Sequence, residues 1–154
     1  MATAIRAQVV AQLDALFKKI KTTAGYNSNL GSYVFWWRDT PLQVSELPGV
    51  VLRDTVESTV RAIGQHEHAL AIEATILIES SDSGATARNI IADVIKALGT
   101  NVSPNVCLGG YAEDISPVES EVMEVEHEGI KGYGIDLKFT VTYATPPFDP
   151  YTQA

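Results

Sequence analysis

The spacing of hydrophobic residues along this chain changes several times, and the first segment has the spacing of an α-helix. Between residues 3 and 22, apolar side chains recur every three or four positions, and charged side chains fall between them. Thr3 is a suitable N-cap for this segment, and Gly25 is a suitable end. The apolar positions are Ile5, Val9, Leu13, Leu16, Phe17 and Ile20. The pattern predicts an amphipathic helix.

The following segments have the period of strands. SYVFWW at 32–37 is aromatic and β-branched, and GVVLRDTVESTVRAIG at 49–64 reads as extended. A loop separates them, because Pro41 and Pro48 cannot donate to a sheet. HALAIEATILIES at 68–80 alternates most clearly. Its apolar face is predicted to hold Leu70, Ile72, Ala74, Ile76 and Ile78.

A second helix and a hairpin complete the pattern. Residues 80–101 predict a helix that Asp82 or Ser83 caps and Gly99 ends. Its apolar stripe consists of Ala87, Ile90, Ile91, Val94, Ile95 and Leu98. Residues 100–118 look irregular, and 120–146 predict a hairpin that turns at HEGIKG. The second strand should place on one face Tyr133, Ile135, Leu137, Phe139, Val141 and Tyr143.

The order of these elements predicts an α+β fold. Hairpin-like spacing favours a mostly antiparallel β-sheet with two α-helices packed on one face. The length of 154 residues suits one domain, with residues 145–154 as a proline-rich C-terminal arm. We expect residues 1–154 to form that single domain, because no repeat or linker interrupts them.

Composition narrows the classes of function. The formal charge of −8 argues against a nucleic-acid-binding surface, which is normally basic. Cys107 is the single cysteine, so no disulfide can form within the chain, as expected in a reducing compartment. The N-terminal residues lack the apolar core of a signal peptide, and no apolar stretch is long enough for a membrane span. We therefore expect a soluble cytosolic protein.

Three histidines form the best candidate for a metal site. His66 and His68 would point to the same side of a strand, and His127 could join them across the sheet. No matching carboxylate or cysteine pattern accompanies them. An exposed polar start of a strand explains HEH better, so no metal, cofactor or catalytic residue is predicted, and a metal-dependent enzyme that uses His66 and His68 is the less favoured alternative function.

Other polar motifs also favour structural interpretations. The acidic residues Glu119, Glu121, Glu124, Glu126 and Glu128 alternate with apolar ones, as on a solvated strand face. SDSGATAR lacks the lysine of a phosphate loop and predicts a helix cap. Cys107 has no adjacent histidine and predicts a small buried side chain.

The aromatic residues suggest contact with other chains. On a regular strand Tyr33, Phe35 and Trp37 share one face, while Val34 and Trp36 share the other. One set can enter the core, and the other must be covered by a helix, by the following loop or by another subunit. Aromatic residues beside an arginine are enriched in interfaces. The candidate interface residues are Tyr33, Trp36, Trp37, Arg38, Leu42, Leu47, Phe148 and Tyr151.

In order, these segments resemble the tail terminator (tail completion) proteins of long-tailed bacteriophages. The resemblance rests on LFKKIKTTAGYNSNLG, then on WRDTPLQVSELPGVVLRD with its loop closing on ELPGV. HALAIEATILIE before GATARNIIADVIKALG, and the final YGIDLKFTVTYATP, agree with it. It extends from about residue 5 to about residue 145. Head–tail connector proteins of the phage neck share this size and α+β character.

The resemblance implies a structural protein without catalysis or cofactor. Such subunits close into a ring, expected to be a hexamer, that caps the tail tube, ends its polymerisation and offers a surface to the filled head. The implied partners are further copies, the tail tube protein and head or neck proteins. DNA would pass through the lumen without specific binding, and no membrane is involved. The implied locations are the virion and, during assembly, the host cytoplasm. The loop 40–48 is a candidate contact with the tube or neck.

Overall fold

Eight strands and two α-helices are found in the part of the chain that the computed structural model describes, residues 2–79, 84–100, 102–103, 106–127 and 130–154. The first elements are α1 (Ile5–Lys18), β1 (Val34–Trp36), β2 (Gly49–Ala62), β3 (Gln65–Glu79) and α2 (Gly84–Gly99). The remaining ones are β4 (Val102–Ser103), β5 (Val106–Cys107), β6 (Asp114–Ile115), β7 (Glu119–His127) and β8 (Ile130–Thr145). The α+β fold class predicted from the sequence is confirmed. The segment 100–118, predicted as irregular, contains three of the short strands.

The main sheet has the order β1-β2-β3-β8. Both β6 and β7 pair with the edge of β8 that does not pair with β3. β2, β3 and β8 pair antiparallel, but β1 pairs parallel with β2, Val34 opposite Val50 and Trp36 opposite Leu52. The sheet is mostly antiparallel, as predicted, and the β1–β2 pair is the exception. The connection 37–48 is long enough for the chain to return to the same end of the sheet, which a parallel pair requires.

Both helices cover one face of the sheet, which we call the helix face. The apolar side chains of α1 and α2 form one buried cluster with the alternate residues of β3 and β8. The predicted apolar face of β3 is confirmed, and so is that of β8, with Tyr133 only partly buried. In α2, Ile95 is exposed, and Asp93 is buried instead. The period of two in these strands was therefore a reliable guide to the core.

The helix ends differ from the predicted ones. Ala4, not Thr3, is the N-cap of α1, and it has no side-chain cap. The N–H of Ile5 donates to the carbonyl oxygen of Pro150 at 2.9 Å, so the C-terminal arm satisfies one amide that a cap would otherwise satisfy. Gly25, with φ of 88°, ends a short 3₁₀ turn after α1. Asp82 and Ser83 lie outside the described residues.

The C-terminal arm is folded back onto its own chain. Besides the contact with α1, the N–H of Ala154 donates to the carbonyl of Ala144 at 3.2 Å. The carboxylate of Asp149 accepts from the N–H of Tyr151, and hydrogen bonds from Thr152 and Tyr151 lower its pKa. The arm therefore stops β8 and closes over the start of α1.

A β-bulge divides β2 into two parts. Asp54 lies opposite Ile72, whereas Glu57 lies opposite Leu70, so two residues of β2 face one residue of β3. The extra residue reverses which side chains point to the helices. Before the bulge Val50 and Leu52 are buried on the helix face. After the bulge that face receives Glu57 and Thr59, which lie opposite Leu70 and His68.

Candidate assembly surfaces

Trp36 is held by its own chain. It packs against the core cluster, and its indole Nε1 donates to Oδ1 of Asp14 on α1 at 3.2 Å. Val34, two positions earlier, packs against the same cluster. The predicted pairing of Val34 and Trp36 on one face therefore agrees with the structure, and that face is the helix face.

Trp37 does not share a face with Tyr33 and Phe35 as the alternation predicted. Its φ is 53°, a left-handed value that ends β1 and turns the side chain away from the strand pattern. Its indole Nε1 donates to Oδ1 of Asp54 at 2.7 Å on the helix face, and the residue stays 53% exposed. Of the two neighbouring tryptophans, Trp37 is the one that another chain can reach.

Arg38 organises the loop that follows β1. Its guanidinium donates to Glu46 and to the carbonyl oxygens of Thr40 and Pro41, and lies 4.4 Å from the ring centre of Phe35. Its hydrogen bond to Glu46 lowers the pKa of that carboxyl group. Since these contacts occupy its donors, Arg38 acts first within the subunit, and its predicted role between subunits remains a prediction.

The loop 38–48 lies over the sheet face opposite the helices, which we call the outer face. Leu42 is buried there, and the loop borders an open pocket of 150 Å³ with Val51 and Leu77 of the sheet. Leu47 is half-buried. Leu42 is therefore a packing residue and offers little surface to a tube, whereas Val44 in the same loop is exposed.

From the bulge onwards, the β2–β3 hairpin carries exposed apolar side chains. Val56 within the bulge and Val60 on the outer face beyond it are 65% and 63% exposed, and Ile63 at the tip is fully exposed. The chain turns at Gly64, whose φ is 74°. We call Val56, Val60 and Ile63 the hairpin patch. The sequence contained its signal, because Val56 and Val60 alternate with Glu57 and Thr59, but their position relative to a bulge was not foreseeable.

The C-terminal arm contributes two further exposed aromatic residues. Phe148 is 93% exposed although its ring lies 4.9 Å from that of His66, and Tyr151 is 55% exposed. Phe148 has a φ of 58°. The arm itself is docked, so these two predicted contact residues are presented on a fixed segment of the subunit surface.

The histidines do not form a metal site in the described part of the chain. His66 and His68 lie on the same side of β3 as predicted, with ring centres 6.5 Å apart. Both ring nitrogens of His68 are already within hydrogen-bond distance of Thr59 and Thr145 hydroxyls, at 2.9 Å and 2.8 Å. The side chain of His127 lies outside the described residues. No group of three His, Cys, Asp or Glu side chains that could hold a metal ion occurs among the described residues.

A polar network that the sequence did not reveal fills the helix face beyond the core. Arg6 of α1 binds Oδ2 of Asp54 at 3.0 Å and lies 3.8 Å from Glu57. The hydroxyl of Tyr143 donates to Glu57, and the Tyr143 ring stacks on His68. Burial, followed by the hydrogen bond to Glu57, raises the pKa of Tyr143. The network joins α1, β2, β3 and β8 and is consistent with a structural role.

The acidic residues of β7 occupy both faces of the strand. Glu119 and Glu121 lie opposite Lys138 and Asp136, on the outer face, while Glu124 lies opposite Tyr133 on the helix face. All are exposed because β7 is an edge strand. The interpretation as one solvated face was therefore wrong in geometry, although the side chains are solvated. Glu128 lies outside the described residues.

Cys107 is buried, and burial, followed by the nearby Asp114, raises the pKa of its thiol. A raised pKa keeps the thiol protonated and unreactive, in agreement with the small buried side chain that was predicted.

Among the described residues, no helix is both long enough and apolar enough to cross a membrane. No protein-family model matches the chain, and a search of curated proteins finds no significant relative.

Proposed function

We propose that this protein is a structural subunit of phage assembly that caps the tail tube as a ring of copies. The ring, expected to be a hexamer, ends tube polymerisation and offers the surface to which the head attaches. The resemblance to tail terminator proteins suggests this function. The observation that best supports it is that large apolar side chains are exposed on well-separated parts of one small subunit.

Exposed apolar groups of this kind are typical of surfaces that bind other proteins. Tyr33 lies at the β1 edge, and Val122 and Met123 lie on the edge strand β7. The hairpin patch is a third exposed apolar surface. A ring needs two different patches on each subunit, because each copy contacts its two neighbours through different surfaces. Further exposed patches remain for the tube and for the head or neck proteins.

The charge of the chain suits passage of DNA through such a ring. The formal charge of −8 on each copy would repel the phosphate backbone and keep DNA from adhering to the lumen. In this proposal the protein has no catalytic role and no cofactor. It acts in the host cytoplasm during assembly and remains in the virion.

The first experiment is native mass spectrometry over a concentration series, with negative-stain images of the largest species. A closed six-fold ring with a central hole is the expected result. Purified tail tubes are then added, and the fraction of tube ends that carry a cap is counted. Caps on tube ends support the terminator function. Binding to filled heads without any capping of tubes would replace it with the function of a neck connector.

The two tryptophans provide a matched test within this experiment. Trp37→Ala should reduce ring formation or capping while lowering the free energy of unfolding little, because Trp37 is 53% exposed. Trp36→Ala should mainly destabilise the subunit, because it removes core packing and the bond to Asp14. Intact assembly in both variants, with loss of stability alone, would contradict a role for this pair between subunits.

A further inference from the structure

The main sheet has two open edges, and the first is β1. The carbonyl of Tyr33 accepts from Val50, and the N–H of Trp37 donates to Leu52. Residues that alternate with these, Val34 and Trp36, therefore direct their N–H and C=O groups away from β2. No strand pairs with that side of β1 in the part of the chain that the structure describes. Such unpaired groups are a template for another strand.

The β1 edge also has space beside it. A groove of 580 Å³ runs along it, lined by residues that include Lys18, Lys21, Tyr33 and Phe35. A neighbouring strand in a sheet lies about 4.8 Å away, so an added strand would occupy this groove. Tyr33, which is 38% exposed, would be covered by such a strand.

The second open edge lies at the other side of the sheet, where β7 pairs with β8 through nine residues and with no further strand among those described. β7 contains no proline. Val122 and Met123 are 48% and 37% exposed on this strand. It is thus a regular strand with one free side and apolar surface.

The two edges differ in charge. Residues 15–38, which contain β1 and the end of α1, include Lys18, Lys19, Lys21 and Arg38; Asp14 and Asp39 flank this segment, and Glu46 also lines the groove. Residues 113–127, which contain β6 and β7, include six acidic residues and no lysine or arginine. The six are Glu113, Asp114, Glu119, Glu121, Glu124 and Glu126.

Much of this charge is available to a partner. Lys18 is paired with Asp14 and Arg38 with Glu46. Lys21, which lines the groove, has no ion pair within the described residues, and neither do Asp39 or the four glutamates of β7. Complementary charges of this kind select the partner and its orientation.

We infer that copies of this chain associate head to tail, with the β1 edge of one copy pairing with the β7 edge of the next. Pairing of two β7 edges would oppose acidic strands, so the charges disfavour a symmetric dimer. A contact between two different surfaces repeats from copy to copy and forms a ring when the rotation closes. The inference rests on the proposed ring assembly and names the surfaces through which that ring closes.

Charge reversal at each edge tests the inference. Lys21→Glu should weaken self-association about tenfold or more, as should Glu119→Lys with Glu121→Lys. Mixing the two variants should restore assembly, because each altered edge then meets an altered edge of opposite sign. A six-membered ring permits such alternation. Arg88→Glu is the control, because Arg88 is exposed on α2, which contributes no strand to either edge. Sedimentation velocity measures each species.

Disulfide trapping tests the contact directly. Tyr33→Cys and Glu121→Cys are made in separate copies, and the buried Cys107 is left in place. Under mild oxidation, mixtures of the two variants should give covalent dimers. Each variant alone should give none, because a head-to-tail contact brings Tyr33 of one copy near Glu121 of another and never joins like positions.

The outcomes separate this inference from the proposed function. Rings that form equally well after charge reversal, without rescue by mixing and without mixed disulfides, would overturn the edge contact and leave tube capping intact. Rescue by mixing together with a failure to cap tubes would support the contact and overturn the terminator function. A wild-type chain that stays monomeric at every concentration would overturn the edge contact itself.

Discussion

The two ends of the β2–β3 hairpin have the same backbone structure and opposite environments. At the base, Val50 and Leu52 are completely buried beneath the helices, and the loop 38–48 covers the outer face above Val51. At the tip, Val56 and Val60 are mostly exposed. The β-bulge after Asp54 separates the two regions. A valine in a strand is therefore a core residue or a contact surface depending on its position relative to one bulge.

The same comparison holds for polar residues. At the base, the polar side chains Arg53 and Thr75 lie on the outer face. Beyond the bulge, Glu57 and Thr59 turn to the helix face and bond Tyr143 and His68. Thr59 is exposed and Glu57 is half-buried, whereas Tyr143 is buried, and a buried polar group is stable when it has a hydrogen-bond partner. Because of the bulge, polar side chains of β2 point to the helix face in its second half, where apolar side chains point in its first half. Val60 then lies on the outer face and is exposed.

The largest expected effect comes from truncating one valine at each end. Val50→Ala removes two methyl groups from a fully buried site, so we expect the free energy of unfolding to fall by about 2 kcal/mol. Val60→Ala should change it by no more than about 0.5 kcal/mol. Urea denaturation measures both. Equal losses would mean that the tip is buried in the folded protein in solution.

A smaller effect is expected in the polar network. Tyr143→Phe removes the hydroxyl that donates to Glu57 and should cost about 1.5 kcal/mol. The raised pKa of Tyr143 also gives a pH dependence. Its contribution to stability is fully present below the usual tyrosine pKa of about 10 and is lost as the pH rises towards the folded value.

Thermal melts between pH 8 and pH 11 test this dependence. Wild type should lose stability at the alkaline end more steeply than Tyr143→Phe. Parallel curves for the two proteins would show that the hydroxyl is not protected in the folded state. Tyr111→Phe is a suitable control, because Tyr111 is half-buried and lies outside the network.

The loop that covers the base depends on one ion pair, and its effect should be local. Arg38→Met removes the contacts to Glu46 and the loop carbonyls, so amide hydrogen exchange within 39–48 should accelerate while the melting temperature changes little. The lowered pKa of Glu46 predicts the same opening in acid. The stabilisation is present above about pH 4.5 and is lost as the pH falls through the folded value. Exchange that is unchanged in both conditions would contradict this role.

The smallest effect on stability is expected at Ile63. Ile63→Ser should leave the free energy of unfolding within about 0.5 kcal/mol of wild type, because the side chain is fully exposed. It should nevertheless reduce the capping of tail tubes if the hairpin patch contacts the tube. Ile95→Ser is the matched control on α2, where the isoleucine is 51% exposed. An equal loss of capping in both variants would point to a general solubility effect.

Several features were predictable from short segments alone. The alternation in β3 identified its buried face, including Leu70 and Ile76, and the same held for β8. The helical period of α1 identified its buried stripe from Ile5 to Phe17. These predictions succeed because side-chain direction in a regular element depends only on local backbone geometry.

The surfaces were harder to predict. Trp36 and Trp37 look equivalent in sequence, but a positive φ at Trp37 separates them, and only Trp37 remains mostly exposed. Leu42 looked like a contact residue and is buried beneath its own loop. The hairpin patch was missed because a bulge breaks the period of two, and the alternation within the segment does not show where the break occurs.

The sequence by itself determined the approximate positions of the helices and main strands, most of the side chains that form the core, and the charges of residues 15–38 and 113–127. Only the tertiary structure decided the parallel pairing of β1, the bulge in β2, the docking of the arm on α1, and the placement of the two charged segments at opposite edges of one sheet. The physical reason is the distance along the chain over which each interaction acts. Periodicity and capping act between neighbours in the chain, whereas register, edges and bulges depend on contacts between residues far apart in sequence.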